Sequence, residues 1–451
     1  MPKFSPPPEV VHITRVLEQA GHEAWCVGGG VRDALLGIPN LDWDLATSAT
    51  PQQVRKLFKR TVPVGIEFGT VGVLDDNNVM HEVTTFRRDV ETDGRHAVVK
   101  FGASLDDDLA RRDFTINAIA YSPTRDKIRD PFGGQVDLHA KIIRAVGVPH
   151  ERMMEDRLRA LRAIRFAARF EFEIEPVTWE AIRASAPYLT RLSAERVKQE
   201  IDKTMEQVRR PSRAFAMWKS SGAFDVLIPI LSGITPVELR ALDYLCLPNL
   251  PSRPQRKIAR ITALFCAASP THRGGHSKHK HESGAESTSQ RVKSAGTVLA
   301  TLQALRYSNA DIAWISRIVD LWHSMGREMK DTLMQPVAPT DATLRRWAGA
   351  AGRTRIAFLL RIANAFWWAE REAGKPAPSR ERIASVYRRI VRIAYRDPIE
   401  IADLAVNGTD LQKIGIQGKR LGEVLRTLLQ MVIDDPALNT RDQLLARAAE
   451  L

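Results

Sequence analysis

Residues 24–45 read AWCVGGGVRDALLGIPNLDWDL, and the order of events in that stretch decides the fold. Ala24-Trp25-Cys26-Val27 predicts a short strand running into Gly28-Gly29-Gly30. The segment VRDALLG predicts a helix that stops at Gly37. Residues 41–46 predict a second strand that alternates strictly. On it, Asp42 and Asp44 point to one face while Leu41, Trp43 and Leu45 point to the other. Two carboxylates placed side by side repel each other unless a cation sits between them, and Mg²⁺, a hard ion taking oxygen ligands, suits such a pair. The glycines let backbone N–H groups approach a phosphate, and the helix after them points its positive end to the same place. Arg32 adds a fixed positive charge. Each feature has a plain counterpart: acids often line a solvent face, and a glycine triplet is often only a tight turn. Their separation by 12 residues favours one combined nucleotide and metal site.

Outward from this stretch, residues 9–20 predict an amphipathic helix, with Val10, Ile13, Val16 and Leu17 on one face. PQQVRKLF (51–58) predicts another, and residues 69–75 and 79–86 predict strands. The interleaving fits an α/β or α+β head over about residues 1–147. Glu82, on the later strand, is a candidate third acid near the metals or a plain sheet-face residue. Beyond Pro149 the pattern turns helical, over 151–170, 176–186 and 193–209, and no convincing strand follows. Residues 269–297 contain almost no large apolar side chain and predict a disordered insertion. Its histidines, His272, His276, His279 and His281, read as a polar tract with adventitious metal affinity.

Two further segments carry chemistry. Residues 111–118, Arg-Arg-Asp-Phe-Thr-Ile-Asn-Ala, suit contacts to a triphosphate and a ribose, or equally a salt-bridged helix start. On the helix predicted over 151–170, Arg159, Arg162, Arg165 and Arg169 recur every three or four residues as a basic stripe. Asp156 precedes Arg159 by three residues, which makes the two neighbours on a helix. A carboxylate can accept from the exocyclic amine of cytosine or adenine, and an adjacent guanidinium can donate to the ring. Together they imitate a Watson–Crick edge for C and, with a shift, for A. The plain alternative is a surface ion pair worth under ~1 kcal/mol.

Composition bounds the rest. The chain has 451 residues, 66 Lys and Arg against 53 Asp and Glu, and a net charge of +13, which favours a polyanionic partner such as nucleic acid. A hydrophobic fraction of 44% supports a buried core and excludes wholesale disorder. Three cysteines, Cys26, Cys246 and Cys266, exclude a disulfide scaffold and a CxxC metal site, and fit a reducing cytoplasm. No apolar run approaches the ~18–20 residues of a membrane span. MPKFSPPPEVV lacks the charge and apolar core of a secretory signal.

Together the motifs resemble the class II tRNA nucleotidyltransferases, the superfamily of CCA-adding enzymes and bacterial poly(A) polymerases. The segments are VGGGVRDALLG with LDWDLAT, EFGTVGV with HEVTTFR, RRDFTINAIAY, DPFGG, RAVG with EDRLRALRAIRFAARF, and LSAERVKQE. They run in the family's order over about residues 25–206, with a weaker likeness in VNGTDLQKIGIQGKRLGEVLRTLLQMV and LNTRDQLL. The resemblance implies a polymerase-β-like head with a mixed sheet (1–147), then an all-helical neck (148–210), body (211–375) and tail (376–451). It implies that Asp42 and Asp44 hold two Mg²⁺ ions, with Gly29 and Arg32 near the triphosphate. Arg112, with Arg111, would bind the incoming nucleotide. Asp156 and Arg159 would select C and then A, supported by Arg162 and Arg165 and braced by Glu195, Arg196 and Glu200.

The implied reaction is untemplated addition of CCA to the 3′ end of tRNA from CTP and ATP, releasing pyrophosphate, in the cytoplasm. The helical part would bind the acceptor stem and elbow by phosphate and shape, with Arg388, Arg392 and Arg396 as a candidate contact stripe or a solvated face. No obligate protein partner is read from the sequence. RRDVETDGRHAVVKF (87–101) resembles the flexible loop of CCA-adding and A-adding members. Poly(A) polymerases typically carry an Arg-Phe-Arg stretch near VPVGIEFGTV, which this chain lacks. Addition of poly(A) or of the terminal A alone is the alternative within the superfamily. A non-catalytic RNA binder is the alternative outside it.

Overall fold

The computed structural model describes residues 4–39, 42–92, 97–245, 253–268 and 297–451. Within them the chain forms two compact units. One runs to Val208 and takes in Arg213–Pro229; the other holds Arg209–Ser212 and the described chain from Ile230 onward. The predicted insertion, with its four histidines, lies outside the described residues except for Thr297, and so does Leu41 of the acidic strand.

The first unit begins with a helix, Pro8–Gln19, whose buried face carries Val10, Ile13 and Leu17. The strands that follow are β1 (Ala24–Val27), β2 (Asp44–Thr47), β3 (Thr61–Pro63), β4 (Thr70–Leu74), β5 (Met80–Thr85), β6 (Arg87–Thr92), β7 (Ala97–Phe101), β8 (Ala120–Ser122) and β9 (Lys127–Arg129). Seven of them form one sheet in the order β3-β4-β5-β2-β1-β8-β9. It is mixed: β2 runs parallel to β5, and β1 is antiparallel to both of its neighbours. β1 is central and buried on both faces. Trp25 and Val27 pack with Ala46, Phe86, Leu109 and Val146, while Cys26 lies on the opposite face. Each large side chain so buried contributes roughly 1.5–3 kcal/mol.

Several sequence expectations are corrected here. β2 begins at Asp44, so Asp42 precedes the strand instead of lying on it. Within 87–101, the segment likened to a flexible loop, Arg87–Thr92 and Ala97–Phe101 pair as the antiparallel strands β6 and β7, while residues 93–96 between them lie outside the described residues. A two-residue parallel ladder joins Ile142–Ile143 to Glu173–Ile174, so the chain past Pro149 does hold one short strand. The helix expected over 151–170 is two helices, Pro149–Glu155 and Leu158–Phe170, with Asp156 extended between them at φ −148° and ψ 104°. The cause is local: the Asp156 carboxylate accepts from the Leu158 N–H at 3.0 Å, capping the new helix instead of continuing the old one. Pro176–Ser185 and Ala194–Gln207 complete this helical part.

The second unit is helical among its described residues. Its longest helices are Asn309–Met334, Arg353–Glu372, Arg380–Arg396 and Lys419–Asp434. Trp347 and Trp367 are core residues here, as Trp218 is in the first unit. Trp314, Trp322 and Trp368 are half-buried against Phe358, Phe366 and Tyr244. Near the C-terminus a separate apolar cluster gathers Leu411, Val424, Leu428, Val432 and Leu444. No helix among the described residues is long and apolar enough to cross a membrane.

Candidate active site

The register of the sheet builds the acidic end of the site. Val27, the last residue of β1, lies opposite Asp44, the first of β2. The chain must then leave β1 sharply, and Gly28 does so at φ +72°. A Cβ there would be strained and would stand 2.9 Å from Arg112 Nη1. At Gly30 a Cβ would stand 3.0 Å from both the Asp42 carbonyl and the Trp43 ring. The glycine turn therefore lies directly against the acidic segment.

Asp44 is half-buried and Asp42 exposed. The Asp44 carboxyl is pushed up to about 6, first by burial, then by the charges of Asp42 and Glu82, with Arg112 opposing. Glu82 stands exposed on β5, one residue before the Val83–Leu45 pair, and acts on Asp44 by charge without lining the cleft. Among the described residues no group of three or more His, Cys, Asp or Glu is arranged to hold a metal. Two carboxylates are nonetheless a sufficient protein share for Mg²⁺, which takes one or two together with water and substrate phosphates. The mutual repulsion at Asp42 and Asp44 is what a bound divalent cation would relieve, so this donor pair fits the ion.

The arginine motif closes the helix Leu105–Ala110 instead of starting one. Arg112 Nη2 reaches back 3.2 Å to Asp108. Arg111 offers its carbonyl to Arg159 Nη2 at 2.9 Å, and its side chain is not part of the cleft lining. Arg32 is buried. Its Nε donates to Asp33 at 2.8 Å and its Nη1 to Asn117 Oδ1 at 2.6 Å, and its guanidinium lies over Phe166 and Phe170. It lines the cleft but is bound into the protein, tying the glycine helix to the helix Leu158–Phe170.

The basic stripe is not a solvated face. Arg159 Nη1 pairs with Glu155 at 2.7 Å, Arg162 Nη2 with Asp113 at 2.6 Å, and Arg165 Nε with Glu200 at 2.7 Å. Asp113, part of the segment that the sequence reading assigns to ligand contacts, is instead bound within the protein, to Arg162 and Asn117. Burial pushes its carboxyl up, but Arg162, the Asn117 amide and Arg159 outweigh that and hold it down at about 2. The expected Asp156–Arg159 side-chain pair is corrected, because the helix breaks between them. Asp156 instead accepts from Arg196 Nη2 at 2.7 Å. Arg196 and Glu200 thus reach Asp156 and Arg165 from the helix Ala194–Gln207, while Glu195 is exposed in its first turn.

One open cleft collects Gly29, Arg32, Asp42, Asp44, Arg112, Asp156, Arg159, Arg162, Arg165 and Arg196 from the residues proposed on sequence. It adds Gly28, Asp113, Asn117, Leu158, Phe166 and Arg169, which lie inside the motifs quoted from the sequence, and Lys203 and Gln207, which no motif of the sequence marks. Eight cationic side chains line it against four carboxylates, with the carboxylates Asp42 and Asp44 beside the glycine turn. That polarity suits a triphosphate whose metal-facing end meets the acids. Arg388, Arg392 and Arg396 belong to the other unit, where they are exposed along the helix Arg380–Arg396.

Residues 24–144 match the family described as the poly A polymerase head domain, and residues 171–234 the probable RNA and SrmB-binding site of polymerase A. A curated CCA-adding enzyme of Streptococcus suis is 48% identical over 199 residues, 44% of this chain and 49% of that protein. One of Streptococcus mutans is 49% identical over the same length, with the same shares. The matched stretch thus spans about half the length of these curated relatives. The crystal structure of the Bacillus stearothermophilus CCA-adding enzyme in complex with CTP is similar over nearly the whole chain. It has a TM-score of 0.69 and 30% identity, covering 98% of this chain and 96% of that one. The Thermotoga maritima CCA-adding enzyme complexed with tRNA shares the fold at 20% identity and a TM-score of 0.62, over 98% and 96% of the two chains. Full-length likeness at that level, on top of the matched head, places this chain in the superfamily of class II tRNA nucleotidyltransferases and bacterial poly(A) polymerases, where it is most like the bacterial CCA-adding enzymes.

Proposed function

We propose that this protein adds C, C and A to the 3′ end of tRNA, using CTP and ATP and releasing pyrophosphate. The observation that carries the reading is the single cleft joining the Asp42–Asp44 pair to Arg112, Asp156 and Arg159. The relatives named as CCA-adding enzymes, one of them solved with CTP, support the choice of reaction and nucleotide.

Asp42 and Asp44 would hold Mg²⁺, which when bound lowers the pKa of an attacking hydroxyl and offsets charge on the phosphates. The protein's own groups have separable tasks. Gly28 and Gly29 clear space beside the acids for a phosphate chain. Arg112, with one Nη on Asp108, offers its remaining donors to the triphosphate. Asp113 holds Arg162 rigid, and Glu200 does the same for Arg165, so the guanidiniums keep their orientation without substrate. Asp156 presents a carboxylate and Arg159 a guanidinium to a base edge, the pairing that favours C and A. Arg32 acts as a positioning residue beneath this array. The tRNA acceptor stem and elbow are the proposed partner, with Arg388, Arg392 and Arg396 among its contacts, and the cytoplasm is the proposed compartment.

A second reading, poly(A) addition, draws on the match of residues 24–144 to a head domain described for poly A polymerase. One experiment separates the two. tRNAs ending before CCA, after C and after CC are offered with labelled CTP or ATP. Two C and one A followed by a stop is the expected result; a long A tail would indicate the polymerase, and no incorporation would indicate a binding protein.

A further inference from the structure

The second unit holds a cavity of which the proposed reaction uses only one lining residue, Arg388. It lies between Tyr244, at the end of the helix Pro236–Tyr244, and the helices Arg353–Glu372 and Arg380–Arg396, and has a volume of about 350 Å³. That is the size of a small-ligand site. Three guanidiniums line it, Arg361, Arg380 and Arg388, and no carboxylate does. Among the described residues none of the three is in an ion pair; Arg380 lies 3.8 Å over the Trp368 ring, and Arg361 lies 5.9 Å from the centre of the Tyr387 ring. The contrast with the cleft of the first unit is direct. There Arg159, Arg162 and Arg165 each carry a built-in carboxylate partner. Here the positive charge is left for something else.

The walls say what kind of anion fits. Trp368 stacks on Tyr244 with ring centroids 5.0 Å apart and planes 18° apart, and Tyr387 supplies a further ring. Planar aromatic and guanidinium faces take a planar π-system. Asn364 adds an amide that can both donate and accept, as the edge of a base requires. A planar heterocycle with an attached phosphate satisfies all three features. A cation finds no acid in the lining, since Glu372, held by Tyr244 and Trp368, and Glu381, beside Arg380, stand outside it, and a purely apolar ligand would leave the guanidiniums unused.

We propose that this cavity binds one nucleotide, its base against the aromatic wall and its phosphate on the arginines. The proposal rests on the reading of the chain as an RNA-acting nucleotidyltransferase, which supplies that chemistry from two sources. One is a nucleotide unstacked from the RNA substrate. The other is a free nucleoside triphosphate held apart from the cleft.

The test uses the full chain, with Arg361→Gln and Asn364→Leu beside wild type. CTP stoichiometry is measured by equilibrium dialysis, and affinity for tRNA lacking CCA is measured across a salt series. If the nucleotide comes from RNA, wild type binds one CTP per chain. Arg361→Gln then weakens tRNA binding about tenfold and lowers the salt dependence of log K by about one. Asn364→Leu weakens it about threefold at an unchanged salt slope. If it comes from solution, wild type binds two CTP per chain and Arg361→Gln leaves one. One CTP on wild type, with tRNA affinity within twofold in both variants, overturns the proposal. Thermal unfolding of each variant identifies any loss caused by misfolding, and the two substitutions must agree. Failure of wild type to incorporate CTP would instead overturn the functional reading. A second CTP lost with Arg361 would still establish the pocket in that case.

Discussion

Asp44 carries the strongest chemical signature of any single residue in the cleft. Its carboxyl stands at about 6, raised from 3.8 by burial and then by Asp42 and Glu82. A group raised in this way favours the folded state while protonated. Its contribution is complete below 3.8 and is lost as the pH rises through about 6. The loss is at most ~3 kcal/mol, and less once partial exposure is discounted. Thermal unfolding of the cation-free protein should therefore show Tm falling between about pH 4 and pH 6.5, and Asp44→Asn should flatten that slope. At pH 7.5 added Mg²⁺ should raise the Tm of wild type and leave Asp44→Asn unmoved; equal shifts in both would remove the ion from this pair. Asp42→Ala should keep the fold, because Asp42 is exposed, and should lower incorporation by at least ~10³-fold, as loss of several kcal/mol of charge stabilisation requires.

At the scale of elements, the break at Asp156 is the decisive feature, and the sequence hides it. The apolar and basic periods run unbroken through 151–170, so periodicity alone draws one helix. What ends it is a single side chain that caps Leu158 with one oxygen and meets Arg196 with the other. Asp156→Asn keeps an acceptor for the cap and loses the charge, so stability should hold while the choice of CTP and ATP over GTP and UTP relaxes. Asp156→Ala should lose selectivity too and cost about 1 kcal/mol for the missing cap. Unchanged nucleotide selectivity in Asp156→Asn would separate Asp156 from base choice. The arginines behave similarly. Their spacing was legible, and Glu155 is the i,i+4 neighbour of Arg159, yet Asp113 and Glu200, the partners of Arg162 and Arg165, come from distant segments that no local pattern joins. The Arg165–Glu200 pair is nearly closed to solvent, at 4% and 2% exposure of the side chains. Glu200→Gln should thus cost roughly 3–5 kcal/mol by stranding the guanidinium. Replacing both residues by Met should recover much of that, and denaturant titration of the single and double variants measures the difference.

Across the whole molecule, legibility in the sequence follows the density of special residues. The first unit could be drawn because glycines, paired acids and arginines punctuate it at fixed spacing, and the mixed sheet follows from strands that must carry Val27 beside Asp44. The second unit offered only helical period, so its helices were foreseen but the cavity between Tyr244, Trp368 and Tyr387 was not. The net charge of +13 reads differently once partners are placed. In the first unit much of the positive charge is already matched by Asp113, Glu155 and Glu200, so its role is orientation. The exposed Arg388, Arg392 and Arg396 lie one turn apart on a single helix and are free to meet successive phosphates. Each phosphate neutralised by an arginine releases counterions and adds roughly 0.7–0.9 to the slope of log K against log salt. Replacing all three by Ala should therefore lower the slope for tRNA by about two to three and weaken binding most at low salt. The affinity for CTP of the cleft in the first unit, which none of the three lines, should not move. A triple variant with the wild-type salt slope would show that this face is merely solvated and that the RNA backbone runs elsewhere.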